Sequence, residues 1–282
     1  MCIRDRYLDY ETRQERIDVL DEASRSTFDA FIHAGRLQPT RVAEVLAPAV
    51  AEGRIVASSS DPEEASFIER LGLSGAFPTA DGGDLFGLVT QNAGNNKIDA
   101  YLHRSVEYRA SFDPNSGDVE ASVSVTLRND APDAGLPDYV IANRESSGQP
   151  DGTNWTWFNF YSPHELVSMS VGGEPVAVGA KRELGVNVYQ TYLAVPSKSE
   201  VQISLYLKGT IDRDDQYRVA WYQQPLSYPD EVQVYVSVPS PWYVDDPDAP
   251  AGTVPLISSE PVAAVTSRED GHVVVPLREV RR

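Results

Sequence analysis

Cysteine is nearly absent: Cys2 is the only one in 282 residues. A disulfide within the chain and a cysteine zinc site are therefore excluded. Lysine is scarce too, occurring only at Lys97, Lys181, Lys198 and Lys208. Basic side chains number 24 against 42 acidic ones, a formal charge of -18. That balance argues against a nucleic-acid partner, because phosphate binding needs basic patches. It argues equally against docking on anionic lipid by charge. No apolar run approaches the roughly 20 residues that span a bilayer. The opening, MCIRDRYLDYETRQER, lacks the apolar core of a signal peptide. P-loop, G-x-G-x-x-G and G-x-S-x-G patterns are missing as well, so no nucleotide or esterase signature is present.

What is there reads as a folded protein in two parts. The hydrophobic content of 41% is that of a chain able to build a core. Residues 9–78 are dominated by helical spacing. Ile17, Leu20, Ala23, Phe28, Phe31 and Ile32 recur on one face, with Gly35 to stop the run. A second helix is expected over about Thr40–Glu52, with Pro48 bending or shortening it. Arg54–Ser58 reads as a short strand. In SDPEEASFIERLG, Asp61 caps, Pro62 opens the helix, Glu64 completes a capping box and Gly72 closes it.

From Asp84 the period changes to two. DLFGLVTQ reads as a buried strand. Tyr101–Phe112 and DVEASVSVTLRN form a hairpin through DPNSGD, with Val119, Ala121, Val123, Val125 and Leu127 on one face. Further strands are expected near 138–142, 154–161, 166–171, 186–195, 200–209, 216–223 and 231–238. Two short ones follow near 261–266 and 272–277. Seven or more strands broken by Gly, Pro, Asn and Asp describe an antiparallel, immunoglobulin-like sandwich. The fold class expected is α+β. A helical or α/β remnant over 9–96 precedes the sandwich over 97–243. Residues 244–282 hold the acidic linker DDPDAP and the terminal strands.

The order of these segments resembles the DUF4012 family, a bacterial and mainly actinobacterial domain of unknown function. The likeness runs over about residues 36–240. It rests on the helix pair, strand and Asp61–Leu71 helix, then on Asn92, Gly94, Asn96, Lys97, Tyr101, Arg104, Ser105, Val106, Glu107 and Tyr108. YSPHELVSMSVGGEPV and YRVAWYQQP match its later sheet region. The resemblance implies an outward-facing cell-envelope protein anchored by a membrane helix that precedes the matched part. Met1–Arg6 resemble sequencing-adapter read-through, and residues 1–8 are set aside. The matched region is then a C-terminal fragment, and the truncated helical part is expected to expose apolar surface.

Two places read as candidate ligand sites. Asn92, Gly94, Asn95, Asn96 and Lys97 follow a buried strand. Their backbone N–H groups and the lysine could cradle a phosphate or carboxylate. The alternative is a strap whose asparagines bond their own backbone. Trp155 and Trp157 share a strand face with Tyr161, opposite Phe158 and Phe160. An exposed aromatic face could stack on sugar rings, while core packing is the plainer use. His164 and Glu165 begin a zinc-protease motif that Ser168 breaks. His33, His103 and His272 show no ligand spacing. No catalytic residue, metal or cofactor is assigned. The function expected is a non-catalytic envelope scaffold or a module binding a cell-wall glycan or an envelope protein. The alternative is an envelope enzyme acting on phosphate-linked glycopolymers, with its main site in a preceding segment and Lys97 completing it.

Overall fold

The computed structural model describes residues 12–33, 39–143, 147–244, 263–266 and 271–279. Met1–Arg6 and the acidic linker at 245–250 lie outside the described residues. Helix α1 (Arg13–His33) opens on a capping box. The Glu15 N–H donates to Thr12 Oγ1 at 3.2 Å, and the Thr12 N–H donates back to Glu15 Oε2 at 3.0 Å. Helix α2 (Pro39–Ala51) carries Pro48 inside its last turn. Helix α3 (Pro62–Arg70) is capped by Asp61, whose carboxylate accepts from the Glu63 and Glu64 N–H groups. Glu64 does not return the bond as the capping box expects; its carboxylate accepts from Ser59 Oγ at 2.6 Å. The apolar stripes of these helices are not buried on the sheets. Ile17, Leu20, Phe28, Val45, Phe67 and Leu71 are all exposed. No strand forms at Arg54–Ser58.

Among the described residues fourteen strands make two seven-stranded sheets. In chain order they are β1 (Asp84–Asn92), β2 (Leu102–Phe112), β3 (Asp118–Asn129), β4 (Asn154–Ser162), β5 (Glu165–Val171), β6 (Glu174–Pro175) and β7 (Gly179–Glu183). They continue with β8 (Val186–Val195), β9 (Ser199–Thr210), β10 (Gln216–Tyr222), β11 (Glu231–Ser237), β12 (Trp242–Val244), β13 (Ala263–Thr266) and β14 (His272–Glu279). The first sheet runs β12-β14-β10-β1-β4-β8-β7 and the second β13-β11-β2-β3-β9-β5-β6. The expected strand at 138–142 is instead a short helix, α4 (Asp138–Ile141), which follows Pro137.

Strand alternation decides which residues meet between the sheets. Phe86 and Leu88 of β1 and Phe158 and Phe160 of β4 point inward from the first sheet. Val106 and Tyr108 of β2 and Val123 and Val125 of β3 point inward from the second. All of them belong to one buried cluster, and the Phe86 and Tyr108 rings stack at 4.6 Å.

Two expectations are corrected here. The sheets are not wholly antiparallel, because β1 pairs with β10 and β2 with β11 in parallel. A boundary after residue 96 would remove β1, which is a central strand of the first sheet. The terminal strand expected near 272–277 is β14, hydrogen-bonded between β10 and β12, and it buries Val273, Val275 and Leu277. The alternation of HVVVPL serves that inner face as a central strand does. Among the described residues no helix is long and apolar enough to cross a membrane.

Candidate functional site

The loop after β1 crosses to the 3-10 turn Ile98–Tyr101 that leads into β2. Asn92 Oδ1 accepts the Asn95 N–H at 2.9 Å, and Asn92 Nδ2 donates to Asn96 Oδ1 at 2.9 Å. Asn96 Nδ2 reaches Ala142 O at 3.1 Å, and its Oδ1 accepts the Ile98 N–H at 3.3 Å. The Ala93 N–H donates to Trp155 O and the Lys97 N–H to Val140 O. A Cβ on Gly94 would stand 2.3 Å from Asn143 Oδ1 and 2.9 Å from Asn96 Nδ2, so a side chain there would displace amides of this network. Asn95 takes a left-handed φ of 61°. The N–H groups of Ala93, Asn95, Lys97 and Ile98 are thus used within the protein. The loop is built as a strap tying β1 to the 138–154 connection, and the Lys97 side chain lies exposed.

Asp99 sits beneath this strap. Its Oδ1 accepts from Asn154 Nδ2 at 2.9 Å and from Asn92 Nδ2 at 3.3 Å. Burial raises its pKa, opposed by those two hydrogen bonds and by the charges of Arg104 and Lys97.

The aromatic strand divides as alternation demands. Phe158 and Phe160 lie in the core, while Trp155, Trp157 and Tyr161 face the other side of the first sheet. Register places Gln91, Trp157 and Tyr192 side by side on β1, β4 and β8. The Trp157 and Tyr192 rings meet edge to face at 4.1 Å, and Trp155 stacks against Tyr192 at 5.3 Å. Tyr192 is 53% exposed. The next row holds Val89, Asn159 and Gln190. Asn159 Oδ1 accepts from Trp157 Nε1 at 2.8 Å and from Gln190 Nε2 at 2.5 Å. One row further, Phe77 lies over Gly87 between Tyr161 and Tyr222, with ring centroids 4.9 and 5.0 Å away. Tyr192 and Gln190 escape a reading of β4 alone. The YQTY stretch of β8 held the signal, since its outward Gln190 and Tyr192 fall opposite Asn159 and Trp157 once β8 pairs with β4.

Two titratable clusters close the space between the sheets. At one end the Asp84 carboxylate is 1% exposed. Its Oδ2 accepts from Tyr108 Oη at 2.8 Å and also from Tyr217 Oη. Burial first, and the Asp84 charge second, hold both phenols well above the ordinary tyrosine pKa. His164 Nε2 lies 2.8 Å from Asp84 Oδ1, but without the alignment of a hydrogen bond. At the other end Arg104, on β2, makes five hydrogen bonds: two to Asp230 and one each to Thr90 Oγ1, Gln224 Oε1 and Leu88 O. Asp84, His164, Arg104 and Asp230 are all sealed from solvent. His164 therefore packs as a core residue, in keeping with the broken zinc motif. Among the described residues no group of three or more His, Cys, Asp or Glu side chains could hold a metal.

No protein-family model matches the chain, and no curated protein matches it. Among solved structures it is similar to a Legionella pneumophila protein with an inferred nutrient-binding role, at 11% identity and a TM-score of 0.42. That match covers 69% of this chain and 71% of the other. It is also similar to an M1 zinc metallopeptidase from Deinococcus radiodurans, at 10% identity and a TM-score of 0.32, over 62% of this chain and 38% of that one. A yeast LTA4 hydrolase gives 8% identity and a TM-score of 0.31, over 55% and 26%. The chain spans well under half of either enzyme. Likenesses this distant carry no argument about function.

Proposed function

We propose that the chain is a non-catalytic module of a bacterial cell envelope, DUF4012-like in sequence and immunoglobulin-like in its sandwich. It acts by presenting a rigid sheet face to a glycan or protein of the cell surface. One observation carries the reading. Two buried sets of groups with chemistry to offer, Asp84 with Tyr108 and Tyr217 and Arg104 with Asp230, are committed to one another inside the double sheet. What the first sheet offers outward is an aromatic and amide surface. A two-sheet body suits this task because strand pairing fixes the spacing of outward side chains. Location at the envelope rests on the resemblance of Asn92–Tyr108 to the family motif. The acidity of the whole chain supports a role in solution-facing space. The enzymatic alternative gains nothing from the Asn92–Lys97 strap, whose N–H groups serve the fold.

The test is incubation of the purified chain with cell-wall polysaccharide, phosphate-linked glycopolymer and solubilised envelope protein. Retention on one of these with the polymer length unchanged is the expected result. Shortening of a polymer or release of phosphate would replace the module with an enzyme.

A further inference from the structure

We infer that the Trp155–Trp157–Tyr192 cluster is a stacking platform for an uncharged glycan chain. The inference rests on the binding-module reading and names the ligand class and residues of that module.

Three properties single out this ligand. The aromatic row Gln91–Trp157–Tyr192 and the amide row Val89–Asn159–Gln190 contain no charged side chain. Such a neutral surface offers no opposite charge to a polyanion or a basic peptide. Secondly, the rings are held in place. Trp157 Nε1 is tied to Asn159 Oδ1, which Gln190 Nε2 also engages, and Asn159 Nδ2 is anchored to Trp157 O and Val89 O. Ordering costs are largely met before any ligand arrives. Thirdly, the surface pairs ring area with amides. Gln91 lies exposed beside Trp157, and the half-buried Gln190 lies in the row below. A sugar ring has that same division, an apolar C–H face and a hydroxyl edge. Stacking of the face on Trp or Tyr, with hydroxyls bonded to amides, satisfies both. Outward positions two apart on one strand lie about 7 Å from each other. Trp155 and Trp157 can thus meet neighbouring sugars of one chain.

The same sheet shows its capacity for stacking within the molecule. At its Gly87 row, Phe77 already fills the slot between Tyr161 and Tyr222. At the other end Tyr192 is exposed, with Trp155 and Trp157 half-buried beside it.

The experiment is titration of the full chain with cellohexaose, xylohexaose, mannohexaose and maltohexaose, read by calorimetry and tryptophan fluorescence. A charged hexagalacturonate serves as comparator. We expect at least one neutral hexaose to bind and the anionic one to fail. Tyr192→Ala and Trp155→Ala should each weaken binding tenfold or more. Lys97→Ala should leave it unchanged. Tyr192 is exposed, so its loss leaves the core intact, and an unchanged thermal midpoint verifies that. Binding of no neutral hexaose, or binding that Tyr192→Ala and Trp155→Ala leave intact, overturns the platform. Chromatography of the same mixtures separates that failure from the failure of the parent reading: sugars bound but uncut elsewhere on the protein keep the module and remove the platform, whereas shortened sugars remove the module.

Discussion

The Tyr108 hydroxyl donates to the Asp84 carboxylate at 2.8 Å across the space between the two sheets. Tyr108 comes from β2 of the second sheet and Asp84 from the start of β1 in the first. An otherwise non-directional apolar core thereby gains a contact that exists at one sheet spacing and one register only. A hydrogen bond to a charged group is worth about 1.5–3 kcal/mol when its buried partner is left behind. Tyr108→Phe keeps the ring stack on Phe86 and removes only the hydroxyl. We expect it to lower unfolding stability by about 2 kcal/mol. Urea denaturation checks this, with the midpoint falling and the slope unchanged. A loss below about 0.5 kcal/mol would mean that Tyr217 alone suffices for Asp84.

The same pair sets an alkaline limit. Both Tyr108 and Tyr217 have folded pKa values raised by burial and then by Asp84. Below the ordinary tyrosine pKa of about 10, folded and unfolded chains hold the same phenolic protons and stability is complete. Above it the unfolded chain loses protons that the folded one retains. The folded state then binds more protons, so stability falls as pH rises. Thermal melts between pH 8 and 11 should show a steep decline above about pH 10. That decline should be shallower in Tyr108→Phe/Tyr217→Phe, which starts from a lower plateau. Equal slopes in the two proteins would mean that other groups drive alkaline unfolding.

Arg104 and Asp230 hold the opposite end of the core, with side chains 0% and 4% exposed. Removing one partner strands the other as an uncompensated buried charge, which costs about 3–5 kcal/mol. Arg104→Met should cost that much. Arg104→Lys should not rescue it, because an ammonium cannot reproduce the paired contacts to Asp230 together with those to Thr90 and Gln224. Arg104→Met/Asp230→Leu should recover most of the loss, since no charge is then left unpaired. Denaturation of Arg104→Met, Asp230→Leu and the double variant gives the coupling; additive losses would show that the two residues act independently.

Much of this was legible in the chain. The change of period at Asp84 located the sheets, and DPNSGD located the β2–β3 hairpin. The Asp61–Gly72 helix was legible because its signals are local, and Gly72 does take a left-handed φ of 70°. The division of Trp155 and Trp157 from Phe158 and Phe160 followed from alternation alone. Arg104 was readable too, since it shares a face of β2 with Val106, Tyr108 and Phe112; what could not be read was its partner, 126 residues away. Asp84 with Tyr217 is hidden in the same way, 133 residues apart. Parallel pairing of β1 with β10 depends on chain crossings that no local pattern encodes. The strand expected at 138–142 failed because Val140 and Ile141 are buried apolar residues in a segment too short for periodicity to separate a helical turn from a strand.

Gly87 and Phe77 govern how the segment after α3 is attached. A Cβ on Gly87 would stand 2.7 Å from one Phe77 ring carbon and 2.9 Å from another. Neither can yield without loosening the stacks on Tyr161 and Tyr222. Gly87 does not need its backbone freedom here; it needs its empty side. Gly87→Ala should therefore cost about 1–3 kcal/mol by overpacking, and the cost should fall on local attachment before the core. The segment after α3 and the helices preceding it then open with the sheets intact. Limited proteolysis should cut residues 72–83 several times faster in Gly87→Ala, while a fragment beginning near Asp84 survives in both proteins. Phe77→Ala supplies the second corner of a double-mutant cycle. In that background only Tyr222 Cβ, 3.3 Å away, still crowds the added methyl, and Gly87→Ala should cost clearly less. If it costs as much as in the parent chain, the methyl acts on the strand itself, and Phe77 is not what the absent side chain makes room for.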